Sequence, residues 1–126
     1  MESNVTTAGW YLDASNVYHG SARTRDGSII TFDAPGAGKD AFQGTLPQSI
    51  SPAGAIAGYY IDASNVSHGF VRASDGAITT FDAPGAGTGS GQGTVLYTIN
   101  PPGAIVGFYV DSSYVSHGFL VENRLN

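Results

Sequence analysis

The chain has 126 residues, no cysteine, five Lys and Arg against ten Asp and Glu, and only 12% charged residues beside 18 glycines. This length fits one domain with a modest core, and the absent thiols exclude a disulfide framework or a thiolate metal site. A net charge of −5 with scattered bases argues against a phosphate-neutralising surface, so nucleic acid is not expected as a partner.

No apolar run approaches the roughly 20 residues that a membrane helix needs. The segment 1–8 (MESNVTTA) lacks the basic start and apolar stretch of a signal peptide. Thr, Ser, Tyr, Phe, Val and Ile are abundant, which suits short strands joined by glycine turns. With few Lys and Glu to block edge-to-edge strand pairing, self-association is a physical expectation.

In chain order the dominant feature is a repeat with a period of 49 residues: Asp13, Asp62 and Asp111 align, as do His19, His68 and His117. Residues 9–57 and 58–106 share 29 identities in 49 positions. Residues 107–126 hold a partial third copy, and the whole of 1–126 reads as a single repeat domain.

Each copy carries four predicted strands. In the best-preserved stretch they are 94–100 (TVLYTIN), 104–111 (AIVGFYVD), 116–122 (SHGFLVE, with SHGFVRA at 67–73 one copy earlier) and 77–83 (AITTFDA). The connections are turn chemistry: Asn100-Pro101-Pro102-Gly103, then Asp-Ala-Ser-Asn-Val, then Asp-Gly at 26–27 and 75–76, the strongest short hairpin signal. Consecutive strands are therefore expected to be antiparallel. The remaining link, glycine-rich from Ala83 to Gly93, is much longer and reads as a crossing between sheets.

The expected fold is all-β, with antiparallel four-stranded repeat units of 49 residues, β-propeller-like and completed by oligomerisation. Ten strands group as three, four and three, and a propeller needs about four blades to close. The partner expected is thus another copy of the chain, in a closed ring of two chains or in an open head-to-tail filament.

The run Ile99-Asn100-Pro101-Pro102-Gly103-Ala104-Ile105-Val106-Gly107-Phe108-Tyr109, followed by His117-Gly118-Phe119, resembles the bacterial extracellular repeats named for their His-Ala-Phe motif. The likeness spans nearly the whole chain. It departs where Gly replaces the middle Ala and where the first copy reads His19-Gly20-Ser21. The resemblance implies a propeller-like surface or secreted protein and supplies no catalytic residue.

One polar constellation recurs. Alternation along the second strand of each copy puts Trp10 and Leu12, Tyr59 and Ile61, and Phe108 and Val110 on one face, read as core. The opposite face carries Tyr11 and Asp13, Tyr60 and Asp62, and Tyr109 and Asp111, and the next strand can return His19, His68 or His117 beside it. In the first reading each Asp–His pair is an internal brace, because a buried imidazole needs a partner. In a second, Tyr11, Asp13, Asn16, Tyr60, Asp62, Asn65, Tyr109 and Asp111 form shallow ligand sites, in which a tyrosine ring stacks on a sugar and the polar groups bind its hydroxyls. Repetition would add avidity, although Tyr114 replaces the asparagine in the third copy.

Two side-chain ligands per copy fall short of a zinc set, and no serine near a histidine sits in a nucleophile motif. Neither metal, cofactor nor catalytic residues are expected. The loops 36–44 (GAGKDAFQG) and 85–93 (GAGTGSGQG) lack a Gly-Lys-Ser/Thr phosphate signature and read as linkers. The sequons Asn4-Val5-Thr6 and Asn65-Val66-Ser67 bear on the protein only in a glycosylating pathway. The functional expectation is a non-enzymatic, self-associating binding module for glycans, or a structural repeat whose function is assembly.

Overall fold

A computed structural model describes residues 5–100 and 104–122; the expected Asn100-Pro101-Pro102-Gly103 turn and Asn4 of the first sequon fall at least partly outside them. The described chain is all-β. Its strands are β1 (Val5–Leu12), β2 (Tyr18–Thr24), β3 (Ile29–Phe32), β4 (Gly44–Ile50), β5 (Ile56–Ile61), β6 (Ser67–Arg72), β7 (Ile78–Phe81), β8 (Gly93–Asn100), β9 (Ala104–Val110) and β10 (Ser116–Glu122). No helix among the described residues is long and apolar enough to cross a membrane.

The ten strands form one open sheet along the path β1-β2-β4-β5-β6-β8-β9-β10, with β3 paired to β2 and β7 to β6. Consecutive strands joined by short turns pair antiparallel, from Trp10↔Gly20 between β1 and β2 to Leu120↔Val106 between β9 and β10. The Asp-Gly turns close the β2–β3 and β6–β7 hairpins because Gly27 and Gly76 supply φ values of 90° and 98°, which cost a residue without Cβ nothing.

The long link from Ala83 to Gly93 does not leave for a separate sheet, as the sequence pattern suggested. It delivers β8 to the same sheet through one parallel pairing, Ser67↔Gly93, as the preceding link delivers β4 through Tyr18↔Gly44. The physical reason lies in the two glycines. Both have positive φ, 123° at Gly44 and 119° at Gly93, and a Cβ at either would run into the carbonyl of Tyr18 or Ser67. Only glycine lets the incoming strand approach that closely.

Two hydrophobic clusters replace the single one-sided core expected. Ile56, Tyr60 and Phe70 pack with Ala22 and Ala34 from the first copy. Ala57 and Val71, which point to the opposite face of the same two strands, pack with Leu96 and Ile99 of β8 and Ile105 of β9. The middle strands β5 and β6 are therefore covered on both faces. Phe70 and Leu96 are 0% and 1% exposed, and burying each contributes about 1.5–3 kcal/mol.

Candidate functional site

In each copy the loop after the second strand starts with an aspartate whose two oxygens have separate tasks. Asp62 Oδ1 accepts the backbone N–H of Ser64 at 2.8 Å and of Val66 at 3.1 Å, closing an Asx-type loop. Asp13 does the same for Ser15 and Val17, and Asp111 for Ser113 and Val115. The turn requires a left-handed residue, taken by Asn16, Asn65 and Tyr114 with φ of 63–64°. Asparagine tolerates that conformation well; tyrosine does not, which makes the third copy's loop the more strained of the set.

The second oxygen meets the histidine. Asp13 Oδ2 to His19 Nε2 is 2.7 Å, and both Asp62–His68 and Asp111–His117 are 2.8 Å. Sequence reasoning missed the next partner: His19 Nδ1 lies 2.8 Å from Asp33 Oδ1 and His68 Nδ1 lies 2.7 Å from Asp82 Oδ1. The signal was present, since Thr-Phe-Asp-Ala-Pro-Gly-Ala-Gly is identical in copies one and two, but it was read as strand end and linker.

Ionised carboxylates only accept hydrogen bonds, so an imidazole held between two of them carries hydrogen on both nitrogens. When protonated, His19 and His68 are the cationic centres of Asp–His–Asp triads. Hydrogen bonds to Asp13 and Asp33 raise the His19 pKa above its ordinary value. At His68 burial works to lower the pKa, but the bonds to Asp62 and Asp82 outweigh it and the net shift is upward. Burial likewise pushes the Asp62 carboxyl up, and His68 with the Val66 and Ser64 N–H groups more than reverses it. Asp13 and Asp111 are held low chiefly by His19 and His117.

The tyrosines expected beside these pairs stack on the imidazoles. Ring centroids are 5.3 Å apart for Tyr11–His19, 4.9 Å for Tyr60–His68 and 4.8 Å for Tyr109–His117. A tyrosine face over an imidazolium adds a cation–π attraction. The three are not equally accessible: Tyr11 is 42% exposed, whereas Tyr60 is 8% exposed and belongs to the inner cluster. The face expected to be open is covered in the second copy.

Asn65 does not join that face. Its Oδ1 accepts from Gln43 Nε2 at 3.0 Å, and the same Gln43 receives the Asp40 N–H. Gln43 is 4% exposed, and Gln92, 6% exposed, repeats the arrangement with the Gly89 N–H and the Ser112 carbonyl. Thr45 and Thr94, both fully buried, accept the N–H of Ala34 and Ala83. The glycine-rich loops are thus fixed covers rather than slack linkers.

The first copy departs from the others in one respect. Trp10, Tyr18 and Phe42 form an aromatic row, with centroid distances of 5.0 and 6.5 Å, where the second copy has Tyr59, Ser67 and Gly91. Trp10 and Phe42 are 46% and 58% exposed. Tyr18 also lines an open cleft of about 390 Å³ with Asp13, Ser15, His19, Asp33 and Lys39. Comparison with protein-family models, with curated proteins and with solved structures gave no match.

Proposed function

We propose that this chain is a non-enzymatic, self-associating repeat scaffold built of propeller-type four-strand units. The observation that carries the reading is the closure of the repeated polar set upon itself. Both ring nitrogens of His68 are taken by carboxylates, both oxygens of Asp62 are taken by His68 and the loop, and Tyr60 is packed beneath. A histidine so engaged has no lone pair with which to activate a nucleophile or ligate a metal. Every copy needs the same brace, which explains why it recurs.

Self-association follows from the surface. Ile29, Tyr97 and Leu120 are each more than 60% exposed on a chain with 12% charged residues. The likeness to His-Ala-Phe repeats is in keeping with an extracellular scaffold. Light scattering over a concentration series tests the reading: concentration-dependent mass supports it, and a monomer at every concentration defeats it.

A second reading, glycan recognition, is favoured by the aromatic row and the adjoining polar cleft of the first copy. Titration with a panel of oligosaccharides, monitored through the fluorescence of Trp10, the single tryptophan, tests it. A quench lost in Asp33→Ala would support a site there, and no response across the panel would remove it.

A further inference from the structure

The two glycine-rich links share a frame and differ in what they display. Residues 31–38 and 43–45 match 80–87 and 92–94 without exception, yet between them Lys39-Asp40-Ala41-Phe42 stands where the second copy has Thr88-Gly89-Ser90-Gly91. The backbone bonds are the same in both. Gln43 N–H donates to the Asp40 carbonyl as Gln92 N–H does to Gly89, and Gly38 N–H donates to the Ile61 carbonyl as Gly87 N–H does to Val110. Residues 39–42 are all exposed. An unchanged frame thus carries an exchanged set of side chains, among them a cation, an acid and an aromatic ring.

The first link is held by a copy on either side, through Tyr18 N–H to the Gln43 carbonyl and Gly38 N–H to the Ile61 carbonyl, so its exposed residues belong to the interior of the array. The two links are not equally open. Tyr114 lies over the second: its hydroxyl donates to the Ser90 carbonyl, and a Cβ on Gly91 would be 3.7 Å from its ring. The equivalent residue over the first link is Asn65, whose side chain accepts from Gln43, and Phe42 stays 58% exposed beside Tyr18.

The groups gathered at the first link select a ligand class. Lys39, Asp33 and Tyr18 line the cleft, and Asp33 gives Oδ1 to His19 while its side chain remains 57% exposed. An anion would meet the carboxylates of Asp33 and Asp40, and a cation would meet Lys39 and a protonated His19. A neutral polyhydroxylated ring fits both signs of charge, since its hydroxyls donate to a carboxylate and accept from an ammonium. Its apolar face stacks on the Phe42 ring.

We infer that the chain has a single site for a neutral oligosaccharide, at the first link, with Phe42 as the stacking platform and Lys39 and Asp33 as the hydroxyl partners. The inference rests on the glycan reading above and deepens it: it names the sugar class and reduces three repeated sites to one. The test is a titration with neutral tetrasaccharides of glucose, mannose and galactose, beside sialylated and amino-sugar oligosaccharides, read by calorimetry and by Trp10 fluorescence. At least one neutral sugar should bind with one equivalent per chain. Exchanging the first link for the second (Lys39→Thr, Asp40→Gly, Ala41→Ser, Phe42→Gly) should weaken it by about tenfold or more with an unchanged or higher melting temperature, and Tyr114→Asn should leave it unchanged. Neutral-sugar binding that survives the exchange, that is lost in Tyr114→Asn, or that takes more than one equivalent overturns the single site and leaves glycan recognition standing. Preference for a charged sugar overturns the ligand class, and no binding across the panel overturns both readings.

Discussion

His68 Nδ1 lies 2.7 Å from Asp82 Oδ1, a carboxylate at the end of β7, while Nε2 of the same ring faces Asp62 at the end of β5. One imidazolium therefore ties three consecutive strands of the second copy at a single edge. Through Asp62 Oδ1 the tie extends to the loop between β5 and β6, where the Asn65 carbonyl accepts the Gly91 N–H from the next glycine-rich link.

Replacing His68 with Ala leaves two carboxylates facing each other without the cation, so stability should fall by about 1–3 kcal/mol. Asp62→Ala should cost more than Asp82→Ala, because only Asp62 also holds the Ser64 and Val66 N–H groups. The Asp82 side chain is 58% exposed, and its loss should cost no more than about 1 kcal/mol. Urea denaturation of the three variants gives the ranking; equal costs for the two aspartates would contradict the loop-holding role of Asp62.

The triads also set a pH optimum. His19 and His68 have folded pKa values above their ordinary one, so their stabilisation is complete below the unfolded value of about 6.5 and is lost as pH rises through the folded value. Asp13, Asp62 and Asp111 have depressed values, so theirs is present above about 3.8 and is lost as pH falls through the folded value. Melting temperature should be highest between about pH 4 and 6.5 and decline on both sides. A double variant His19→Gln, His68→Gln should flatten the alkaline limb; an unchanged limb would assign it to other groups.

Much of this arrangement was legible in the sequence, and the rest was hidden for a definite reason. Strand alternation and Asp-Gly turns are local signals, and they place β5, β6 and β7, although β7 is four residues long where seven were expected. The pairing of Asp62 with His68 was readable because the two are six residues apart across one tight loop. Asp82 was not, since a strand and a hairpin intervene and only the register Gly69↔Phe81 places it beside the ring. Gln43 was obscured by its glycine-rich context, although its identity with Gln92 was a signal that those loops are ordered. Coverage of the Tyr60 face could not be read from alternation, which assigns residues to faces without saying what stands opposite them.

Glycine at equivalent positions should matter unequally. A Cβ on Gly58 would collide with the Leu46 carbonyl and lie 2.7 Å from Pro47 Cα, both backbone atoms that cannot swing aside. At Gly9 the same atom would meet nothing within 4 Å. Gly58→Ala should therefore destabilise by at least about 1–3 kcal/mol, and Gly9→Ala should stay within about 0.5 kcal/mol. Thermal melts of the two variants suffice, and equal effects would show that a β4-like strand also covers β1.

Phe42 is held at φ 64°, a left-handed conformation that the second copy gives to Gly91 at φ 80°. Its ring is 58% exposed and its aromatic neighbour, Tyr18, is 6.5 Å away between centroids, so packing returns little for the strain. A non-glycine residue in that region costs about 1–2 kcal/mol, part of which is recovered by the lower chain entropy of a side-chain-bearing residue when unfolded. Phe42→Gly should accordingly raise stability by about 0.5–1 kcal/mol, measured by urea titration. Strain retained at an exposed aromatic has a use only if the ring meets something outside the chain. If the first copy binds glycans, the same variant should lose affinity while gaining stability; if both quantities stay unchanged, Phe42 neither strains the loop nor serves a site.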